Sequence, residues 1–263
     1  MKISFTNVAK IHNMFTPVQK QQQSLAPLGF DTVSFSAQKK APEEIEAERK
    51  IAKANHQEAI KDKDAKQILE HFGIKVEESE NCNGNLTISH YQQPEGFTFE
   101  ELGVDENELV EDVEKIEGKA DFRNSKATNL DKLQIIGGDA IFYESLVENL
   151  GNLEVIGGNA IFAKSKVTNL DKLCTIGGSA NFYGALMTNL DSLWNIVGDA
   201  VFCNSKITSL KNLTTIVGNA DFSDTQIKEL ESLRYVDRNL NIANSLLTPE
   251  SIKKVVVEGE IIK

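Results

Sequence analysis

The side chains able to do chemistry are few and scattered. His12, His56, His71 and His90 are the only histidines, and they share no spacing that metal ligands use. Cys82, Cys174 and Cys203 make an odd number with no C-x-x-C, so the expectation is three reduced thiols and no disulfide scaffold. Cys203 has no histidine in its own stretch to draw off its proton, which argues against a thiolate nucleophile. Asp131, Asp171 and Asp191 each follow a leucine at a constant interval. A carboxylate track of that kind could hold a cation, but Gly151 and Lys211 interrupt it, so these residues are read as turn caps. Asn129, Asn149, Asn169 and Asn189 are read as turn formers. The pairs Gly137-Gly138, Gly157-Gly158 and Gly177-Gly178 lie in no G-x-G-x-x-G or Walker pattern, so no phosphate cradle is expected. The second glycine persists as Gly198 and Gly218 and is expected to permit a backbone turn. The sequence therefore predicts no catalytic residues, no metal, no cofactor and no enzyme.

What the spacing does show is a repeat. Counting positions 1 to 20 from Asp131, copies begin at 111, 131, 151, 171, 191, 211 and 231 with no insertion. Position 12 is Phe122, Phe142, Phe162, Phe182, Phe202, Phe222 and then Ile242. Position 6 is Ile from Ile116 to Ile216 and then Val236. Position 20 is Leu from Leu130 to Leu230, and position 10 is Ala in every copy but the last, which has Leu240. One unit is too small to close a core, but stacked units give ladders of like residues, which is the logic of a solenoid. The A-x-F step has period two and predicts a short strand with both residues inward, repeated as a parallel sheet. The remaining apolar spacing, from position 17 to 20, 3 and 6, suits tight turns or 3-10 segments.

The A-x-F-x-x-S-x-V-x-x-L frame resembles that of leucine-rich repeats, and Leu133 to Phe142 is similar to repeats of bacterial receptor L-domain-like proteins. The match covers about half of the chain. It departs from the family frame where Ser125, Ser145, Ser165, Ser205 and Ser245 replace the ladder Asn, and where Ala stands for Leu. The resemblance implies a curved parallel-sheet solenoid that binds partners on its concave face. A pentapeptide-repeat coil is the rival reading, since twenty is four fives. It would need apolar residues at positions 2 and 7, where Lys132, Asn152, Gly137 and Gly157 stand.

Around the repeats the expected organisation is a disordered polar tail over 1–41, a helix over 42–73, an N-terminal cap over 74–110, the seven repeats over 111–250, and a C-terminal cap over 251–263. Residues 1–40 carry five Lys against one Asp and too little apolar matter to order themselves. Pro42 followed by Glu43 and Glu44 suits a helix start, and Ala65, Ile68, Leu69 and Phe72 form an apolar stripe before Gly73. Asn85-Leu86-Thr87-Ile88 looks like one strand of the repeats, and Phe97 to Leu109 predicts a short helix. The fold class is thus a mainly β repeat solenoid preceded by an α-helical segment.

In the A-x-F strand, positions 9, 11 and 13 point outward. They offer Ile141, Ile161 and Val201 with Tyr143, Ala163, Tyr183 and Cys203, interrupted by Asn181 and flanked by Asp121 and Asp221. A contiguous exposed apolar strip with a polar rim is a binding-site signature, and these ten residues are the candidate partner-binding face. Trp194, at position 4, is a second candidate on the opposite side. Net charge is −11, with 28 Lys and Arg against 39 Asp and Glu, which disfavours nucleic acid or an anionic membrane as partner. The expected partner is a protein, bound by a monomeric, cytoplasmic, non-enzymatic interaction module. An exported, host-delivered effector is the first alternative, with the tail as its address. A carbohydrate-active parallel β-helix is the second, although Asp221 stands nearly alone where stacked carboxylates would be needed.

Overall fold

A computed structural model describes residues 41–79 and 84–263. The tail expected at 1–41 therefore lies, apart from Ala41, outside the described residues, as does Cys82. The chain divides into two compact units, Met1–Glu58 and Ala59–Lys263. The described part of the first unit is the helix α1 (Pro42–Ile60), whose last two residues belong to the second. Glu43 and Glu44 occupy its first turn, where the unpaired N–H groups favour negative charge.

The helix expected across 42–73 is two helices. Asp62 adopts a left-handed φ of 60° and ends the first. Asp64 then caps α2 (Ala65–His71) with a capping box, its carboxylate accepting the Gln67 N–H at 2.8 Å. The predicted stripe packs as expected: Leu69 is fully buried in the core, with Ala65, Ile68 and Phe72 against it.

From there the protein is a solenoid with a 20-residue period and about seven turns, mainly parallel β. Each coil contributes two short strands rather than one. Positions 5 and 6, such as Ile135–Ile136, build a ten-stranded sheet, and positions 10 and 11, such as Ala140–Ile141, build a second sheet of eight. The predicted A-x-F strand is the second sheet, and its hydrogen bonding runs on through the Phe: Phe162 N–H donates to Asn181 O at 2.8 Å. The first sheet stands where turns or 3-10 segments were expected. Its position 6 residue points inward, as the fully buried Ile156 does, and its position 5 residue is half-buried in most copies, as Val155 is, but buried at Thr175 and Asn195. A third side, positions 15 to 18, has a sparser ladder, in which Thr168 N–H donates to Glu148 O at 3.0 Å.

Two corners are made by residues with left-handed backbone. Position 14 has positive φ from Asn124 to Asn244, and position 1 has it at Gly151, Asp171, Asp191, Lys211 and Glu231. Both corners are closed by three-residue hydrogen bonds, such as Ser165 N–H to Phe162 O and Leu173 N–H to Leu170 O. The glycine at position 8 stands at a bend just before the strand, as expected, and it also serves a second purpose. Its φ is not positive, but a Cβ on Gly178 would lie 2.8 Å from the Gly158 carbonyl carbon and from the Asn159 nitrogen. Only glycine lets consecutive coils approach this closely.

The core is a set of ladders. Phe122, Phe142, Phe162, Phe182, Phe202 and Phe222 stack at centroid distances of 4.6–5.3 Å with nearly parallel rings. Burial of each contributes roughly 1.5–3 kcal/mol. Tyr91 stacks on Phe122 at 4.8 Å and Phe99 on Tyr91 at 6.2 Å, so the cap continues the ladder with different aromatics. Positions 3 and 6, rather than 2 and 7, face inward, which is not the pentapeptide pattern.

The cap behaves as a partial coil. The strand β2 (Leu86–Ile88) pairs in parallel with Val113–Ile116, as its likeness to the repeats predicted, and β1 (Val76–Glu78) closes that edge antiparallel. The short helix expected in 97–109 is two, α3 (Phe99–Leu102) and α4 (Glu106–Val110). Glu106 is buried, and its carboxylate accepts from Tyr91 Oη at 2.6 Å, Ser125 Oγ at 2.6 Å, Gln93 Nε2 at 2.8 Å and Lys126 N–H at 2.9 Å. Burial, and then this carboxylate, push the Tyr91 phenol well above its usual pKa. At the other end, residues 251–263 form an eighth coil. Val256–Val257 and Ile261–Ile262 extend the two sheets at an offset of 21, one residue being inserted after the short helix α5 (Pro249–Ile252).

Candidate functional site

The coil-to-coil register decides what lies on the second sheet's outward face. Strand pairing places Asp121, Ile141, Ile161, Asn181, Val201, Asp221 and Asn241 side by side, one per coil. The alternation of side chains sends this row outward, because Ala160 and Phe162, on either side of Ile161, are both fully buried. Tyr143, Ala163, Tyr183 and Cys203 follow two residues later in the same coils. All ten sequence-derived candidates thus lie on one face.

They do not contribute equally. Ile141, Ile161, Val201 and Asn181 are half-buried, as residues shoulder to shoulder in a row must be. Tyr183 is the most open, at 42% exposure. Ala163 is buried and offers little surface, because its methyl group lies between larger neighbours. Asp121 is also buried. Arg123 grips it with two nitrogens, at 2.9 and 2.6 Å, and Lys119 approaches to 3.1 Å. Burial would raise its carboxyl pKa, but the hydrogen bonds from Arg123 and Lys119 outweigh this and hold it below the usual value. Among the described residues Asp221 has no such partners: it accepts the Ser223 N–H at 2.9 Å and Asn241 Nδ2 at 3.0 Å.

Several neighbours were not anticipated. Lys164 Nζ stands 5.8 Å from the centroid of the Tyr143 ring, a cation–π distance. Asp224, on the left-handed corner, lies close enough to Cys203 to act on its thiol. Burial first, then the charges of Asp221 and Asp224, push that thiol up from its usual pKa. Leu186 is 41% exposed on the third side and is separate from the strip. The signal for Asp224 was its place two residues after the inward Phe222; sequence alone did not show that the corner brings it back beside the face.

On the first sheet, Trp194 is half-buried and its carbonyl accepts Thr214 Oγ1 at 2.9 Å. Beside it Asn195 is buried with its Oδ1 unpartnered. Asp171 and Asp191 at position 1 cap the turn of the preceding coil and not the next turn: Asp171 Oδ2 accepts the Leu150 and Gly151 N–H groups at 3.1 and 3.0 Å, and Asp191 Oδ2 the Leu170 N–H at 3.0 Å. Cys174 and Cys203 are free thiols. Among the described residues no group of three His, Cys, Asp or Glu side chains is placed to hold a metal, and no helix is long and apolar enough to cross a membrane.

Comparison with protein-family models, with curated proteins and with solved structures found no match in any of the three.

Proposed function

We propose that the chain is a non-enzymatic interaction module that binds a protein through the outward face of its second sheet. One observation carries this reading. Ile141 and Ile161 stand in register along the sheet, with Val201 in the same row beyond Asn181 and with Tyr143, Tyr183 and Cys203 beside the row, so that apolar residues form a strip that Asn181 interrupts. Aromatic and aliphatic side chains held rigidly by a sheet lose little entropy when covered, which suits them to be the centre of an interface. The overall charge of −11 supports a protein partner over nucleic acid or an anionic membrane. The chain is proposed to act as a monomer and without a cofactor.

The leucine-rich-type assignment is part of the same proposal. What supports it is that positions 10, 12, 15, 17 and 20 all face inward, as the leucine-rich frame requires. The test of function is photo-crosslinking. A benzophenone amino acid at Tyr183 is expected to give a covalent adduct with a protein in the cells of origin, while the same group at Tyr235, on the first sheet, gives none. Equal adducts from both positions would show that the strip is not the binding surface.

A further inference from the structure

The strip is electrically polarised along the solenoid axis, and this carries the reading above one step further. At its N-terminal end Lys119 and Arg123 outnumber the single carboxylate of Asp121 and pair with it at 3.1 and 2.6 Å. At its C-terminal end stand Asp221 and Asp224. Among the described residues neither is in an ion pair; the donors they receive are the neutral Ser223 N–H, Asn241 Nδ2 and Asn244 Nδ2. Between the ends, Ile141, Ile161 and Val201 carry no charge, and Glu144 and Lys164 on the flanking corner are opposite in sign. We propose that the strip binds an extended, apolar protein segment that bears basic residues at one end, with those residues seated at Asp221 and Asp224. The proposal rests on the interaction-face reading.

Three observations support that choice of occupant. The first is charge complementarity: uncompensated carboxylates beside an apolar surface attract a cation and disfavour an acidic segment, which sets both orientation and selectivity. The second is that the field reaches the strip itself, since Asp221 stands directly beside Val201 in the sheet and, with Asp224, helps to push up the Cys203 thiol. The third is length. Coils rise by the stacking distance of the Phe rings, 5.2 Å between Phe142 and Phe162, so the strip from Ile141 to Asp221 spans about 20 Å. An extended chain covers that in about six residues, which is a short linear segment rather than a domain.

The probes are short fluorescent synthetic peptides. One alternates Leu and Ser and ends in two Lys, prepared with the Lys at either terminus. A second has Glu for Lys, and a third keeps Lys but has Ser for every Leu. Anisotropy titrations use the full chain and its Asp221→Asn/Asp224→Asn variant. The variant conserves shape, and Asn suits the left-handed backbone at position 224, so its fold is checked by circular dichroism. In both chains Cys82 and Cys174 are replaced by Ser, and faster alkylation of Cys203 in the variant confirms that the field has been relieved. One orientation of the Leu–Lys peptide is expected to bind about tenfold more tightly than either other peptide, and to lose about that factor in the variant. Equal binding of the Lys-ended and Glu-ended peptides overturns the inference, and so does equal binding of the peptide without Leu. If no peptide binds, the inference also falls, whereas the interaction face itself stands or falls separately on crosslinking from Tyr183.

Discussion

The Asp199 carboxylate accepts the backbone N–H of Asn219, one coil further on, at 2.7 Å. The same relation runs along position 9 of the solenoid. Asp139 accepts from Asn159, Asn159 from Ser179, Ser179 from Asp199, Asn219 from Asn239, and Asn239 from Glu260. Each side-chain oxygen satisfies a corner N–H that neither sheet uses. Asp199 also accepts Asn219 Nδ2, at 3.0 Å. Asp199→Ala is expected to cost about 1–2 kcal/mol in urea denaturation, with Asp199→Asn retaining most of the stability. No loss in the alanine variant would mean that water serves the freed N–H equally well.

At position 15, Ser125 and Ser205 accept the N–H two residues further on, at 3.2 and 3.4 Å, but two other serines there do not. Ser145 and Ser165 are buried with unpartnered hydroxyls. A buried hydroxyl without a partner is destabilising, so Ser165→Ala is expected to leave stability unchanged or to raise it by up to about 1 kcal/mol. A loss of 1 kcal/mol or more would show that the hydroxyl is bonded in solution.

Backbone geometry gives an opposed pair of outcomes. Glu144 holds a φ of 53° at an exposed corner, where Gly184 stands two coils later. Glu144→Gly removes a left-handed strain and is expected to stabilise by about 0.5–1 kcal/mol. Gly178→Ala forces a methyl group against the previous coil and is expected to destabilise by about 1–3 kcal/mol or more. Thermal melts of both variants should move in opposite directions.

The aromatic ladder sets the largest effect. Phe162 is fully buried between Phe142 and Phe182, at 5.2 and 5.3 Å. Phe162→Ala is expected to cost about 3–5 kcal/mol, and Trp194→Ala clearly less, because Trp194 is only half-buried on the outer side. Equal losses in urea melts would contradict the assignment of faces.

The period of the repeat, the inward ladders and the outward row were legible because a strict 20-residue spacing leaves only one way for Phe142, Phe162 and Phe182 to stack. The first sheet was not legible. From Ile135–Ile136 onward its strands are two residues long, and position 5 changes from Lys115 to Ile135, Thr175 and Tyr235, so no alternation exists to be read. The position 9 ladder was hidden in the same way, since Asp, Asn and Ser perform one task there and look like ordinary corner residues. The eighth coil was masked by a single inserted residue, which breaks the spacing although Val256–Val257 and Ile261–Ile262 still pair. Of the candidate face, the row was legible from period two, but the burial of Asp121 under Arg123 and the return of Asp224 toward Cys203 depend on corner geometry.

The central claim is that the row through Ile161 is the binding surface, and a single charge tests it. Ile161 points away from the core, with Ala160 and Phe162 buried on either side, so Ile161→Asp should fold, as circular dichroism would show. It would place an unpaired carboxylate at the centre of the strip, and covering that charge is costly. Thr168→Asp, on the exposed third side, is the control. The measurement is quantitative affinity capture with wild type and both variants. The account predicts that proteins recovered by wild type and by Thr168→Asp are lost with a folded Ile161→Asp. Recovery of the same proteins at the same levels by folded Ile161→Asp would contradict it.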